Sequence, residues 1–140
     1  MEEGNSSTEQ IPLPESERRF REVLSEWFVA QGLPRDHPLF DRWVEADGPD
    51  TYRASLRIVR EISHLAPLAG KRVLDVGCGF GGFQIAATQA GATCVGVEID
   101  PERLELCRKR LAIHGETQRL LRGDAFGLPF DDATFDVVVS

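Results

Sequence analysis

Long apolar runs, positive charge and cysteine are all scarce in this chain, and each shortage closes off a class of protein. No apolar stretch approaches the roughly 20 residues of a membrane-spanning helix, so no span is expected. Met1-Glu2-Glu3 is acidic with no hydrophobic segment behind it, so no secretory signal is expected and the glycosylation pattern Asn5-Ser6-Ser7 is expected to be a chance match. Lys and Arg number 16 against 23 Asp and Glu, a formal net charge of −7. An acidic domain binds polyanions poorly, so nucleic acid is not the expected partner. Arg103, Arg108, Lys109 and Arg110, or Arg119 and Arg122, could form a local basic face, but a solvated helix face is the plainer reading. The three cysteines, Cys78, Cys94 and Cys107, have neither an even count nor metal-ligand spacing, so reduced thiols in the cytoplasm are expected, and no metal.

What remains is an ordinary globular composition, 41% hydrophobic and 28% charged, in 140 residues: enough for one domain with a core. Residues 1–14 are polar, end in Pro12 and Pro14, and read as a disordered arm. Residues 15–69 read as a helical cap. Phe20, Val23, Leu24, Trp27 and Phe28 form one apolar stripe of a helix that Gly32 and Pro34 end. A shorter helix through Leu39–Val44 stops at Gly48-Pro49, and a third runs from about Asp50 to Ala66. These helices either pack on the sheet or form a lid or acceptor pocket.

From residue 70 strands and helices alternate. Strands are expected at Lys71–Val76, Thr93–Glu98, Thr117–Arg122 and Phe135–Val139, with helices over Phe80–Gln89 and from Pro101 to His114. Pro101 suits a first helical turn, where its missing N–H costs nothing. Such alternation implies an α/β fold: a Rossmann-like, doubly wound parallel sheet of order 3-2-1-4, preceded by the N-terminal helices. Strand four is wholly apolar, as central parallel strands buried on both faces are. Because the chain stops directly after it, the sheet is expected to be incomplete, its C-terminal part missing.

The organising stretch is Val73-Leu74-Asp75-Val76-Gly77-Cys78-Gly79-Phe80-Gly81-Gly82, an apolar strand running into a glycine turn and then a helix. That order builds a nucleotide-binding βα unit. The glycines alone fit a dinucleotide fingerprint as well. Asp75 weighs against a pyrophosphate and favours a cation, such as the ammonium group of a sulfonium ligand. Glu98, ending strand two, can accept both hydroxyls of a ribose. In Gly123-Asp124-Ala125, after strand three, a carboxylate and a backbone N–H can read an adenine edge. All lie at carboxyl ends of strands, where open α/β sheets bind ligands.

Together, Val-Leu-Asp-Val-Gly-Cys-Gly-Phe-Gly, Gly-Val-Glu-Ile-Asp-Pro and Gly-Asp-Ala…Leu-Pro-Phe-Asp-Asp-Ala-Thr-Phe-Asp-Val-Val resemble a class I S-adenosylmethionine-dependent methyltransferase, closest to the branch acting on small molecules. The resemblance covers about residues 70–140. It implies that Asp75, Gly77, Cys78 and Gly79 hold the methionine portion, that Glu98 binds the ribose with Ile99 packing on the adenine, and that Asp124 and Ala125 read the adenine edge. For Cys78 and Phe80, packing under the turn is the alternative. Asp100 would approach the ribose side, and Ser140 lies where the family often faces the acceptor. The implied cofactor is S-adenosylmethionine, and the implied reaction is in-line transfer of its methyl group to an O, N, S or C nucleophile of a small molecule. His37 and His64 are candidate bases, though a satisfied or surface histidine is the plainer reading of each, and His114 is expected to complement a helix dipole. No catalytic residue is assigned, and the oligomeric state is open. Two rivals stand beside this reading: a nicotinamide- or flavin-dependent oxidoreductase, and a non-catalytic cofactor-binding module.

Overall fold

The structure is a computed structural model and describes residues 11–116 and 119–140. Three helices come first: α1 (Glu15–Ala30), α2 (Phe40–Asp47) and α3 (Pro49–Leu65). The expected stripe of α1 faces inward, with Phe20 and Leu24 fully buried against Leu106, while Val23, Trp27 and Phe28 flank them. Gly32, at a φ of 95°, turns the chain out of α1 as Leu33 N–H donates to Phe28 O at 3.1 Å. Pro49 opens α3, where a missing N–H orphans nothing.

The sheet follows: β1 (Arg72–Val76), α4 (Gly82–Gln89), β2 (Thr93–Glu98), α5 (Pro101–Ile113), β3 (Arg119–Arg122) and β4 (Val137–Val139). All pairings are parallel and the order is β3-β2-β1-β4. The steps β1 to β2 and β2 to β3 run in the same direction, so right-handed crossovers put α4 and α5 on one face. There α3 packs on α4, and α1 packs on α5. The other face, with Leu74, Val95 and Val97, is covered by Leu128, Phe130 and Phe135 of the β3–β4 connection. Gly96 has no side chain because the buried Gln84 amide of α4 lies against it.

Several boundaries differ from expectation for local reasons. Helix α4 starts at Gly82, because Gly81 adopts a φ of 83° and a Cβ there would stand 2.5 Å from Cys107 Sγ. Strand β4 starts at Val137: Phe135 turns its ring onto Phe130, and Asp136 takes the Arg72 N–H at 2.9 Å. Its expected burial on both faces does not occur, since among the described residues β4 is a sheet edge and Val138 is 60% exposed. In the arm expected to be disordered, residues 11–14 are tied down. Arg53 Nε donates to Ile11 O at 3.1 Å, Arg18 Nη1 donates to Leu13 O at 2.7 Å, and Leu13 packs on the core. Residues 1–10 and 117–118, which include the start of the expected third strand, lie outside the described residues.

The largest departure concerns Arg110 and His114. Neither sits on a basic face or simply faces a helix dipole. The side chains of Arg110 and Glu17 are fully buried, and that of His114 is 5% exposed. Arg110 Nε donates to Glu17 Oε2 at 3.0 Å, Arg110 Nη2 reaches Glu17 Oε1, and His114 Nε2 lies 2.6 Å from Glu17 Oε2. Burial pushes the Glu17 carboxyl up, but the hydrogen bond from His114 and the Arg110 guanidinium outweigh it and hold the pKa below the ordinary range. An acid with a lowered folded-state pKa stabilises the fold above its unfolded pKa. That stability is lost as pH falls through the folded value. Glu17→Ala strands a buried cation and should cost about 3–5 kcal/mol in urea denaturation at neutral pH, with the penalty shrinking under acid.

Candidate functional site

The site forms where β1 hands over to α4. Gly77 and Gly79 adopt φ values of 71° and 55°, a region open to glycine and costly for other residues. A Cβ on either would meet nothing within 4 Å, so both face open space. The loop is fixed from beneath by β2. Val97 O accepts from Gly77 N–H at 2.7 Å and from Cys78 N–H at 3.0 Å, and Glu98 Oε2 accepts from Gly79 N–H at 2.9 Å.

Above the loop lies a cavity of about 370 Å³, lined by Asp75, the loop from Gly77 to Phe83, Arg103 of α5, and Asp47, Thr51 and Ser55 of α2 and α3. Asp75 is 6% exposed, and its Oδ2 has no hydrogen-bond partner among the described residues. Burial, with a smaller push from the Glu98 charge, raises its pKa to about 7. Asp47 is also raised by burial, against the opposing charge of Arg103.

The predicted residues separate into three groups. Asp75, Gly77, Cys78 and Gly79 come together on the cavity wall, although Cys78 is also core, packed with Cys107, Ile85 and Tyr52. Its thiol is pushed well up, first by its hydrogen bond with Cys107 and then by burial. Glu98 is buried beneath the loop and outside this cavity, with Oε1 accepting from Asp100 N–H at 3.1 Å. Asp100 is itself the N-cap of α5, accepting from Glu102 N–H at 2.9 Å. The third group is open: Ile99 is 60% exposed, and Asp124 and Ala125 are exposed in the turn after β3, where Asp124 Oδ1 accepts from Phe126 N–H at 3.0 Å. Neighbouring parallel strands set all three groups along one edge of the sheet.

The candidate bases do not join them. His37 stacks on Trp43 at 5.2 Å and accepts from Leu39 N–H, and His64 is exposed near the end of α3. Ser140 lies in a second cavity of about 400 Å³ with Ile58, Val139 and two residues that also line the first cavity, Asp75 and Phe83. Asp47, Thr51, Ser55 and Arg103 were not anticipated from the sequence. The one local signal was Thr51 and Ser55, small hydroxyl residues four apart and hence on one face of α3, where Ser55 Oγ lies close to Gly82.

A glycine loop, a buried carboxylate lacking a partner and a second carboxylate under the loop, all at carboxyl ends of parallel strands, define an α/β domain that binds a nucleoside-bearing, cationic ligand. Residues 73–140 match the family described as "Methyltransferase domain". The chain is 30% identical over 135 residues to a phthiotriol/phenolphthiotriol dimycocerosates methyltransferase of Mycobacterium leprae, covering 86% of this chain and 49% of that one. It is 35% identical over 115 residues to a fatty-acid O-methyltransferase of Mycolicibacterium smegmatis, covering 81% and 40%. A crystal structure of a putative S-adenosyl-L-methionine-dependent methyltransferase from Methanococcus maripaludis superposes with a TM-score of 0.60 at 14% identity, covering 91% and 51%, and so shares the fold. The chain spans about half the length of the curated relatives it matches. Residues 73–140 are therefore a methyltransferase domain of the class I S-adenosylmethionine-dependent kind, whose cofactor is S-adenosylmethionine. The residues present fit that group, because Asp75 offers an orphaned carboxylate oxygen to an ammonium and the two glycines leave room above the loop.

An acid whose folded-state pKa is raised makes the folded chain bind more protons than the unfolded one between the ordinary value and about 7. Stability therefore falls as pH rises through that window and levels off above it. Asp75→Asn should stabilise the ligand-free chain by about 2–4 kcal/mol at pH 8 and by little near pH 4, read from urea midpoints. The same substitution should weaken binding of S-adenosylmethionine.

Proposed function

We propose that the protein transfers the methyl group of S-adenosylmethionine to a small, largely apolar acceptor. The observation that carries the reading is the unpartnered Asp75 oxygen facing the glycine loop across one cavity. When bound, the cofactor supplies an electrophilic methyl group on a sulfonium and a neutral leaving group. Asp75 pairs with the ammonium of its methionine portion, with Gly77, Cys78 and Gly79 leaving the space. Glu98 accepts from the ribose while keeping the Gly79 N–H, since each carboxylate oxygen accepts more than one bond. Ile99 offers an exposed apolar face to the adenine, and Asp124 and Ala125 read its edge.

The second cavity suits the acceptor. Ile58, Phe83 and Val139 give it apolar walls with the Ser140 hydroxyl beside them, and Asp75 borders both cavities. An apolar wall orients an acceptor and excludes water, which is most of what an in-line displacement asks of the protein. Two of the relatives carry names that refer to fatty-acid or dimycocerosate methylation, which supports an apolar acceptor. Neither cavity is lined by a histidine among the described residues, so no general base is assigned. On this reading residues 70–140 are the cofactor-binding domain and 15–69 a cap that contributes Asp47, Thr51 and Ser55 to its wall. The odd count and the spacing of the three cysteines, Cys78, Cys94 and Cys107, support the cytoplasm as the compartment.

Calorimetric titration with S-adenosylmethionine, S-adenosylhomocysteine and NAD in parallel tests the reading. Micromolar binding of both adenosyl ligands with none of NAD is expected, and binding of NAD alone would overturn it. Glu98→Ala should weaken S-adenosylhomocysteine binding by about 1–3 kcal/mol, and unchanged affinity would place the ribose elsewhere.

A further inference from the structure

The most deeply buried charged cluster in the described chain lies outside both cavities and takes no part in the chemistry above. The Arg110 guanidinium has five N–H groups, and all five have acceptors. Nε and one Nη2 hydrogen go to Glu17 of α1. The other Nη2 hydrogen goes to Gly48 O at 3.1 Å, between α2 and α3. Nη1 donates to Thr51 Oγ1 at 3.2 Å and to Phe80 O at 3.3 Å. The Phe20 ring lies under the guanidinium, 4.5 Å from centroid to Cζ.

The last acceptor is the telling one, because Phe80 sits between Gly79 and Gly81 in the loop that curves around the candidate cofactor cavity. Its ring is held as well, edge-on to Trp27 of α1 at 6.0 Å and with the Arg103 guanidinium 5.9 Å from its centre. The loop therefore has two anchors. The β2 anchor, through Val97 O and Glu98, belongs to the sheet. The other reaches the loop through Arg110, whose guanidinium is shared with Glu17 of α1, and through Trp27 of α1.

We propose that Arg110 is a positioning residue for the cofactor loop: by holding the Phe80 carbonyl it fixes the curve of Gly79–Gly81, and by sharing its guanidinium with Glu17 it makes that curve conditional on the docking of α1. The inference rests on the reading of this loop as the cofactor site. One edge of the guanidinium faces Glu17. Here the opposite edge is spent on the loop and on the α2–α3 junction. Coupling of this kind is reciprocal, so a ligand that favours the curved loop tightens α1 by the same factor that α1 docking improves binding.

Two experiments test it. Lysine keeps the positive charge for Glu17 but, with three N–H groups on one nitrogen, cannot span to Phe80 O. Arg110→Lys should weaken S-adenosylhomocysteine binding about 10-fold at a temperature where circular dichroism shows both chains fully folded. A lowered melting temperature with unchanged affinity would make Arg110 a core residue only and overturn the proposal. The second experiment needs no substitution. In amide hydrogen exchange of the unaltered chain, S-adenosylhomocysteine should slow exchange in α1 around Phe20–Leu24 as well as in the loop. Protection of the loop with none in α1 overturns the coupling, even where Arg110→Lys does not fold. If the unaltered chain binds no adenosyl ligand, the proposed function fails. Ligand-free exchange then still decides for Arg110: faster exchange at Cys78–Gly82 in Arg110→Lys supports the anchor, and unchanged exchange removes it.

Discussion

Taking a guanidinium out of water costs several kcal/mol unless its N–H groups find acceptors, and that demand shapes how the two halves of this chain meet. Arg110 comes from α5, on the helix-covered face of the sheet. Its acceptors come from α1, the α2–α3 junction, α3 and the loop after β1. The apolar contacts of α1 with α5, Phe20 and Leu24 against Leu106, provide attraction without direction. The polar node supplies direction, because five N–H vectors in a fixed plane admit few arrangements of their partners.

The sheet edge shows the opposite treatment of charge. Asp75 is buried and keeps an oxygen without a partner, and Glu98 is buried beside it. Burial disfavours the charged form of Asp75 and the nearby Glu98 charge adds a smaller push, which together raise its pKa to about 7. Such an arrangement is unfavourable in the empty protein and favourable once a cation arrives. Stability given up at a site in this way is a common companion of binding function. One cluster of buried charge is thus saturated and rigid, and the other is left unsatisfied, about one loop apart.

Much of this was legible in the residue order because it is local. The apolar run into Gly77, the proline at the head of α5 and the alternation of strand and helix each depend on a few neighbouring residues. The right-handed crossover rule then carries that alternation to the strand order without knowledge of any contact. Placing Asp75, Glu98 and Asp124 at the carboxyl ends of their strands puts them on one edge of a parallel sheet, so the outline of the ligand site followed too. What the residue order left open was which carboxylate faces the cavity and which lies under the loop. That depends on how the turn from Gly77 to Gly79 folds onto β2.

The sequence by itself determined the α/β class, the sheet order, the glycine loop and the family, because periodicity, turn chemistry and motif spacing act over short distances along the chain. The tertiary structure decided the roles of Glu17, Arg110 and His114, which a helix-by-helix reading assigns to solvent or to a dipole. Glu17 and Arg110 stand 93 residues apart, and nothing local announces that they will meet. Their burial follows only from the docking of α1 on α5. The packing of α3 on α4 likewise brings α3 to Gly82 and so puts Thr51 and Ser55, ordinary residues in sequence, on the wall of the cofactor cavity.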